Sequence, residues 1–436
     1  MLDCLGNQIG AYGEASARML YEALDVDAVP GKSTVVGYGT RTTALLAGCM
    51  NAMLAHSRDM DDAHRDALTK TGSAITPAVL AVAEARRCDG TEVVEAVVAG
   101  YETMIRIGLA VNPGHRSRGF HSTATLGAFG AAAAAGRLMG LSRERMIDAL
   151  GIAGTQSAGL AAFINNESMI KPFNVAKGVH SGILAAMLAE KGFRGPPAVI
   201  EGAEGFIQAY TARANIESLV GGLGERYRLL ESGFKPHAAC RYAHGPIDAV
   251  IASMRASGFA IDAIEHIDVY LSELANRQSN FHDPRSIASA QGSTPFAIAA
   301  ALVTGAGSLS VSCIESAFND ERAWALHRRI KLHVDPQMDY MGRGCRIDVN
   351  LSDGRHLESS VELPRGEPEN PMSHQDIEDK FMQQTSAVIG ERAAEVRDRV
   401  GRLDSLPDVS ELMALTSARA GGRAASIAES SAAVVS

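Results

Sequence analysis

Polar side chains that could do chemistry stand at the ends of apolar segments of this 436-residue chain. His121 directly precedes Ser122 and Thr123, either of which can cap the helix that the Ala- and Gly-rich run to Leu141 predicts. Because a helix N-terminus attracts anions, a histidine at that point could move a proton beside a bound carboxylate. The sequence is explained equally well if His121 caps the helix or is simply exposed to solvent.

Other element ends carry side chains of the same kind. Asp59 and Asp62 lie at the end of a predicted helix and would share a face if that helix continued. Lys70 follows in a polar loop, and Lys171 precedes Pro172 in a turn. A further segment holds Lys235, His237, Cys240, Arg241 and His244. Taken singly, these residues are as well explained by a solvated surface as by a site.

Several function classes are excluded by motifs and charge. No phosphate loop, HExxH, GxSxG or GxGxxG motif occurs in a convincing context. The six cysteines form no CxxC pair, which indicates reduced thiols and no zinc site. The net charge of −9 argues against nucleic acid and membrane partners but leaves a small anionic substrate possible. No apolar run reaches the length of a membrane span, so a cytoplasmic location is expected.

The stretches between these residues predict the elements that must position them. Up to about residue 225 the apolar spacing is helical, with almost no strand alternation. Residues 41–60, 90–111 and 119–141 form the clearest helices. Another helix is predicted from Ile75, with Pro77 in its first turn. The first half is therefore expected to be helical throughout.

The pattern changes near residue 230. Residues 264–273 and 329–335 alternate apolar and polar side chains, which predicts half-buried strands. Residues 345–363 alternate on both sides of Asp353-Gly354, a pair typical of hairpin turns. Beyond them, Ser373 and the acid three residues later predict a capped helix.

Length and composition favour two domains. A chain of 436 residues, 46% of them hydrophobic, can bury two cores. The expected fold is mainly α with an α+β part: a large all-helical domain over residues 1–229 and a smaller α/β lid domain over 230–390. Helices within 391–436 are expected to return to the helical domain and to end in a frayed tail.

Five segments, in order along nearly the whole chain, resemble the MmgE/PrpD family. They are AHSRDMDDAH (55–64), GFHSTATLGAFGAAAAAGRLMGL (119–141), KPFNVAKGVHSGILAAMLAEKGFRGP (171–196), FKPHAACRYAHGPIDA (234–249) and NPMSHQDIEDKF (370–381). Members of that family include 2-methylcitrate dehydratase, cis-aconitate decarboxylase and iminodisuccinate epimerase. The resemblance implies a helical domain with an α/β lid, a homodimer, and no metal or organic cofactor. Relative to family members, the chain is expected to begin about one helix late.

The resemblance also assigns the candidate site. Asp59 matches the first acid of the family's D-x-D-D-T motif, His121 its F-H-P/S-T histidine, Lys171 its K-P lysine and Lys235 its K-x-x-P/A-x-C/H lysine. These four are the expected catalytic residues. The expected substrate-binding residues are Lys70, Asp62, Cys240, Arg241 and His244.

Several positions depart from the family pattern. The counterpart of a usual His-Pro pair is Lys70-Thr71, counted back from Pro77, and Ala63 replaces the motif threonine. Cys240 stands where the animal decarboxylase has histidine. These departures affect the assignment of one specific reaction more than they affect the general chemistry that the family shares.

The resemblance implies a cofactor-independent lyase, a dehydratase or decarboxylase, that abstracts a proton alpha to a carboxylate of a small di- or tricarboxylic acid. Ammonium groups would bind the carboxylates and stabilise the enolate-like charge, and a histidine would move the proton. Two alternatives stay open. One is an epimerase of the iminodisuccinate type, and the other is a carboxylate-binding or scaffold protein without activity.

Overall fold

The computed structural model describes residues 1–164 and 168–419. Up to residue 220 these residues form a bundle of helices. The helices are α1 (Leu2–Gly10), α2 (Ala15–Ala23), α3 (Ala44–Ser57), α4 (Thr71–Arg86), α5 (Gly90–Val111), α6 (Gly114–Ser117), α7 (Ser122–Leu138), α8 (Arg143–Thr155), α9 (Ile170–Glu190), α10 (Phe206–Tyr210) and α11 (Glu217–Val220).

Helix α7 is the centre of the bundle, with α5 against one part of its surface and α9 against another. All of its residues except Arg137 are buried, which explains why its sequence has no polar face. A Cβ added at Gly130 would lie 3.0 Å from the carbonyl oxygen of Gly100 on α5. One added at Gly182 of α9 would lie 2.5 Å from the carbonyl oxygen of Ala128. Small residues are therefore what allow three helices to meet so closely.

The second half alternates helices and strands. Its helices are α12 (His244–Ser257), α13 (Glu273–Ser279), α14 (Ile287–Gly292), α15 (Thr294–Thr304), α16 (Val311–Phe318), α17 (Glu321–His327), α18 (His374–Ile389), α19 (Arg392–Gly401) and α20 (Ser410–Met413). The strands among the described residues of both halves are β1 (Ser33–Thr34), β2 (Arg41–Thr42), β3 (Ala63–His64), β4 (Ser232–Gly233), β5 (Ile264–Leu271), β6 (Ile330–Val334), β7 (Cys345–Leu351) and β8 (His356–Val361).

The main sheet has the strand order β6-β5-β7-β8. Strands β5 and β6 run parallel, and the other neighbours are antiparallel. The predicted hairpin is confirmed: β7 and β8 pair around a turn in which Gly354 has a φ of 86°, a conformation that glycine adopts without strain. The fold is thus mainly α, with the four-stranded sheet in the C-terminal part, as the sequence predicts. The first half is not helical throughout, because the two-residue strands β1, β2 and β3 interrupt its helices.

The described residues form two large apolar cores. One is built from residues between Leu2 and Ile207 together with residues between Phe381 and Met413. The other is built from residues between Ala239 and Leu351. Helix α18 falls inside the range expected for the lid, yet its Phe381 packs in the first core, where α18 lies against α1. The boundaries at 229 and 390 stay predictions, and residues 420–436 of the expected frayed tail lie outside the described residues.

Several element ends differ from the sequence prediction. Helix α4 begins at Thr71 and not at Ile75, so Pro77 lies inside the helix and not in its first turn. Helix α3 ends at Ser57 and does not continue through Asp59. Lys171 lies in the first turn of α9 and not in a turn before it.

Two of the predicted helix caps had different outcomes. His121 is the N-cap residue of α7, without a side-chain cap, so neither Ser122 nor Thr123 occupies that position. The Ser373 cap of α18 is confirmed, with Asp376 completing a capping box.

A two-stranded ladder joins the acidic segment after α3 to the lysine segment near residue 235. Ala63 pairs with Gly233 and His64 with Ser232 in antiparallel fashion. A Cβ at Gly233 would lie 2.2 Å from the carbonyl oxygen of Gly366, so only glycine fits this position. The ladder brings residues 59–64 alongside residues 232–235. Over the part of the chain that the structure describes, no helix has the length and apolarity needed to cross a membrane.

Candidate active site

Asp59 is the centre of a cluster of lysines. It follows the end of α3 with a φ of 53°, in the left-handed region that Asp tolerates better than most residues. Its Oδ1 lies 2.8 Å from Nζ of Lys171 and 3.3 Å from Nζ of Lys235. The Lys235 ammonium also donates a short hydrogen bond to the backbone carbonyl of Asp59. The structure therefore brings together three of the four residues expected to be catalytic.

The charges of this cluster depend on one another. Burial opposes ionisation of Asp59, but Lys171 and Lys235 hold the pKa of its carboxyl well below the ordinary value. Burial likewise disfavours the Lys171 ammonium, and Asp59 more than compensates, so the pKa of Lys171 is raised. For Lys235 burial wins, and its pKa is lowered to about 7 despite the attraction of Asp59. One lysine is thus a fixed cation, while the other can gain or lose a proton near neutral pH.

Lys70 adds a third ammonium group. Its backbone N–H donates to Oγ1 of Thr123, at 3.0 Å, and fixes the start of α4 against the start of α7. Its Nζ makes no hydrogen bond to any described residue. Burial lowers the pKa of Lys70, whereas Asp61 and Asp59 act in the opposite direction. Lys70 therefore lies within electrostatic reach of the cluster, with its ammonium group available.

His121, the fourth expected catalytic residue, stands at the start of α7 and is 8% exposed. Its Nδ1 has no hydrogen-bond partner among the described residues. Its ring centroid lies 5.0 Å from that of Phe163 and 5.7 Å from that of His56. Burial, reinforced by the charges of His56 and Lys171, keeps the pKa of His121 well below its ordinary value. A neutral imidazole near Lys171 results, suited to accept a proton.

His56 and Asp61 lie beside the lysine cluster, although no sequence pattern singles them out. His56 lies in the last turn of α3, and its Nδ1 is 2.6 Å from Oδ2 of Asp61, with both side chains fully buried. Burial opposes the charge of Asp61, but His56, Lys70 and Lys235 lower the pKa of its carboxyl. A signal is present in the segment AHSRDMDDAH, where His56 precedes the three acids by three to six residues.

Asp62 is held by hydrogen bonds outside the lysine cluster. Its Oδ1 accepts the backbone N–H of Gly72 at 2.9 Å, and its Oδ2 accepts the hydroxyl of Tyr101 at 3.0 Å. It thereby caps α4 from a distant segment, and a Cβ at Gly72 would lie 2.4 Å from Oδ1. Burial, together with Asp3 and Asp61, raises the pKa of Asp62 to about 6. The expected common face of Asp59 and Asp62 is wrong because α3 ends before both residues.

The segment after Lys235 has other bonding partners. The guanidinium of Arg241 is held by the buried carboxylate of Glu367, with Nε and Nη2 at 2.9 and 2.8 Å from Oε1. His244 is buried beside Arg241 and the carbonyl of Ala239, at 3.2 and 3.3 Å. Cys240 is a free thiol within electrostatic reach of Lys171. A substrate-binding role for Cys240, Arg241 and His244 remains a prediction, as does that of Asp62 and Lys70.

Within residues 1–164 and 168–419, no group of three possible metal ligands includes Asp59. The group of possible metal ligands that the described residues offer is Asp348, His356 and Glu358, on β7 and β8. Asp348 is already bound by Arg346, with Nη1 2.7 and 2.6 Å from its two oxygens. Independence of metal therefore stays a prediction.

The cluster carries more positive than negative charge. Lys70, Lys171 and Lys235 surround the carboxylates of Asp59 and Asp61, and His56 already contacts the second of these. Buried like charges repel one another unless an anion lies among them. The arrangement can therefore bind a carboxylate and stabilise negative charge that develops on a neighbouring carbon.

Comparison with known proteins gives the same picture over most of the chain. The model of the MmgE/PrpD N-terminal domain matches residues 1–219, and that of the MmgE/PrpD C-terminal domain matches residues 237–404. A cis-aconitate decarboxylase of Aspergillus terreus is 30% identical, with 88% of this chain and 84% of the relative covered. A cis-aconitate decarboxylase-like protein of Aspergillus oryzae is 30% identical, with 91% of this chain and 87% of the relative covered. The human cis-aconitate decarboxylase is 27% identical, with 88% of this chain and 82% of the relative covered.

Proposed function

The chain belongs to the MmgE/PrpD family, and on that premise we propose that it is a lyase that removes carbon dioxide from a small di- or tricarboxylic acid. The relatives named as cis-aconitate decarboxylases make cis-aconitate the first substrate to test. Dehydration of a hydroxy acid by the same site is the neighbouring possibility within the lyase class.

The observation that carries this proposal is the convergence of Lys171 and Lys235 on Asp59, with Lys70 nearby. Decarboxylation and dehydration share one requirement, which is to stabilise negative charge on a carbon alpha to a carboxylate. Buried ammonium groups meet that requirement because their attraction for an enolate-like oxygen is little screened by water.

Each residue has a proposed task. Lys171, whose pKa is raised by Asp59, stays charged and anchors one carboxylate. Lys235, whose pKa is lowered by burial to about 7, takes up a proton as negative charge develops on the substrate. His121, in its neutral form, hydrogen-bonds the substrate during decarboxylation and accepts the alpha proton in the neighbouring dehydration. Since the electron pair stays conjugated with a second carboxylate, the proposed reaction calls for no organic cofactor.

An epimerase is the second candidate, and a specific observation favours it. Epimerisation needs acid and base groups on two faces of one carbon. Lys235 and His121 are two groups whose pKa values are both lowered by burial, and they belong to different elements. The family's homodimer is also part of the proposal, and light scattering of the purified protein would test it.

The test is ¹H NMR of the protein in D₂O with cis-aconitate. We expect carbon dioxide and an unsaturated five-carbon dicarboxylate that carries one deuterium. Exchange of an alpha proton without net product from a panel of amino and hydroxy diacids would favour the epimerase instead. Tight binding of these acids without exchange or product would contradict both activities and favour a binding protein.

A further inference from the structure

His56 and Asp61 form a buried pair that the proposed function has not used. Nδ1 of His56 lies 2.6 Å from Oδ2 of Asp61, and both side chains have no exposed surface. A carboxylate in this position holds an imidazole in one orientation and compensates the charge that the ring carries when protonated. His56 is also in the last turn of α3, where the negative end of the helix dipole favours a cation.

The pair leaves two polar atoms without a partner among the described residues. These are Nε2 of His56 and Oδ1 of Asp61. Nδ1 of His121 is unpartnered as well, and the rings of the two histidines lie 5.7 Å apart with their planes 26° from parallel. Buried polar atoms without hydrogen bonds are costly, so three of them in one place indicate a ligand that completes them.

The charges near the pair indicate that this ligand is an anion such as a carboxylate. Asp61 interacts electrostatically with Lys70 and Lys235, and His121 interacts with Lys171. The residues that carry the unpartnered atoms therefore lie within electrostatic reach of the ammonium groups that attract carboxylates. Besides Asp59 and Asp61, the titratable groups of the described residues that interact electrostatically with this region include the three lysines, Asp62, Arg116, His121, Cys240 and Arg343.

We propose that His56 is a second catalytic histidine, which gives a proton to the substrate carbon from Nε2 while Asp61 orients its ring. This inference rests on the proposed lyase function and adds the proton donor to it. His121, to which no carboxylate of the described residues is hydrogen-bonded, then remains neutral and hydrogen-bonds the substrate. Two histidines in two environments thereby take different parts in one reaction.

The step balances without a further reagent. The bond between the alpha carbon and the departing carboxylate breaks, and its electron pair stays on the remaining carbon skeleton as an enolate-like anion. Carbon dioxide leaves, and the carbanion takes the proton from Nε2 of His56. The imidazolium becomes imidazole and regains its proton from water before the next turnover.

The binding part is tested with tricarballylate, a saturated tricarboxylate, by ¹⁵N NMR of the histidine rings. We expect the Nε2 signal of His56 and the Nδ1 signal of His121 to move as tricarballylate saturates the protein. The His374→Gln variant, altered at an exposed residue of α18, should show the same changes. Saturation that leaves the His56 signal in place would overturn the inference.

The chemical part is tested with the His56→Gln variant. We expect kcat on cis-aconitate to fall by about 10²-fold or more, the usual loss for a general acid, while the Kd of tricarballylate changes by less than about threefold. A His56→Gln protein that turns over at the wild-type rate would refute the proton transfer. If the variant does not fold, the Asp61→Asn variant must lower kcat and alter its pH profile, and an unchanged profile is equally decisive.

Failure of the proposed function gives a different result. A wild-type protein that turns over no carboxylic acid, but whose His56 signal responds to tricarballylate, would remove the lyase proposal and the proton transfer. It would leave His56 as part of the anion site.

Discussion

Nζ of Lys171 lies 2.8 Å from Oδ1 of Asp59, across 112 residues of sequence. The lysine comes from the first turn of α9, and the aspartate from the segment that follows α3. Asp59 therefore fixes the position of the ammonium group and keeps it charged. The first prediction concerns this pair.

Replacing Lys171 by Ala should reduce kcat/KM on cis-aconitate by about 10²-fold or more, because a transition-state charge interaction is lost. The melting temperature should change little, since Lys235 still compensates Asp59. Lys177→Ala is the matched control, because Lys177 lies on the same helix and contacts His180 and Ser181 instead. Steady-state kinetics and thermal melting of both variants check this, and full activity of Lys171→Ala would contradict it.

Tricarballylate should bind more weakly as the pH rises above 7. Burial lowers the pKa of Lys235 to about 7, and only its ammonium form attracts a carboxylate. Above this pH, binding requires uptake of a proton, and the affinity should fall by up to about tenfold per pH unit. Calorimetry at pH 8 in two buffers of different ionisation enthalpy measures the proton uptake. Lys235→Met should abolish the uptake, and equal uptake in that variant would assign it elsewhere.

Lys70→Ala should weaken binding more than it slows chemistry. The Lys70 ammonium has no hydrogen bond within the described residues and acts on Asp61 and Asp59 only at a distance. We expect KM to rise about tenfold, with kcat within about threefold of wild type, as for loss of a uniform binding interaction. Lys32→Ala, at an exposed residue, is the control. A large fall in kcat at unchanged KM would instead make Lys70 a catalytic group.

The Asp62→Asn variant should gain stability relative to wild type as the pH rises from 4 to 7. Burial raises the pKa of Asp62 to about 6, above its unfolded value, so the folded state holds the proton more tightly. The cost of ionising this residue therefore grows as the pH rises through that range. The amide can still accept the N–H of Gly72. Melting temperatures of both proteins across the range test this, and a constant difference would refute it.

Activity should survive exhaustive treatment with EDTA. Lysines supply the positive charge near Asp59, and the metal-ligand group of the described residues lies on β7 and β8. Kinetics before and after dialysis against the chelator test this. Loss of activity that a divalent ion restores would show that a metal takes part.

The fold class could be predicted because its evidence is local. Helical spacing in the first half, and strand alternation with Asp353-Gly354 in the second, depend on neighbours in sequence. The end of α3 could not be predicted, because residues 41–60 remain apolar at helical spacing beyond Ser57. Likewise, Asp62 caps α4 by accepting the N–H of Gly72, and no sequence pattern at Lys70 or Thr71 indicates this contact.

The site residues could be identified only in part, for a related reason. His121, Lys171 and Lys235 stand out against apolar neighbours, and family motifs mark them. His56 could not be identified from the sequence, because a histidine on the buried face of an apolar helix has the pattern of a core residue. Only the 2.6 Å contact with Asp61 reveals its partner.

The ladder between β3 and β4 has a consequence for the order in which the protein forms and fails. It pairs only two residues on each side, yet it holds Lys235 against Asp59 across 176 residues of chain. Such distant contacts form late in folding, and short ladders open before the cores that flank them. On warming, catalytic competence should therefore disappear below the temperature at which helicity is lost.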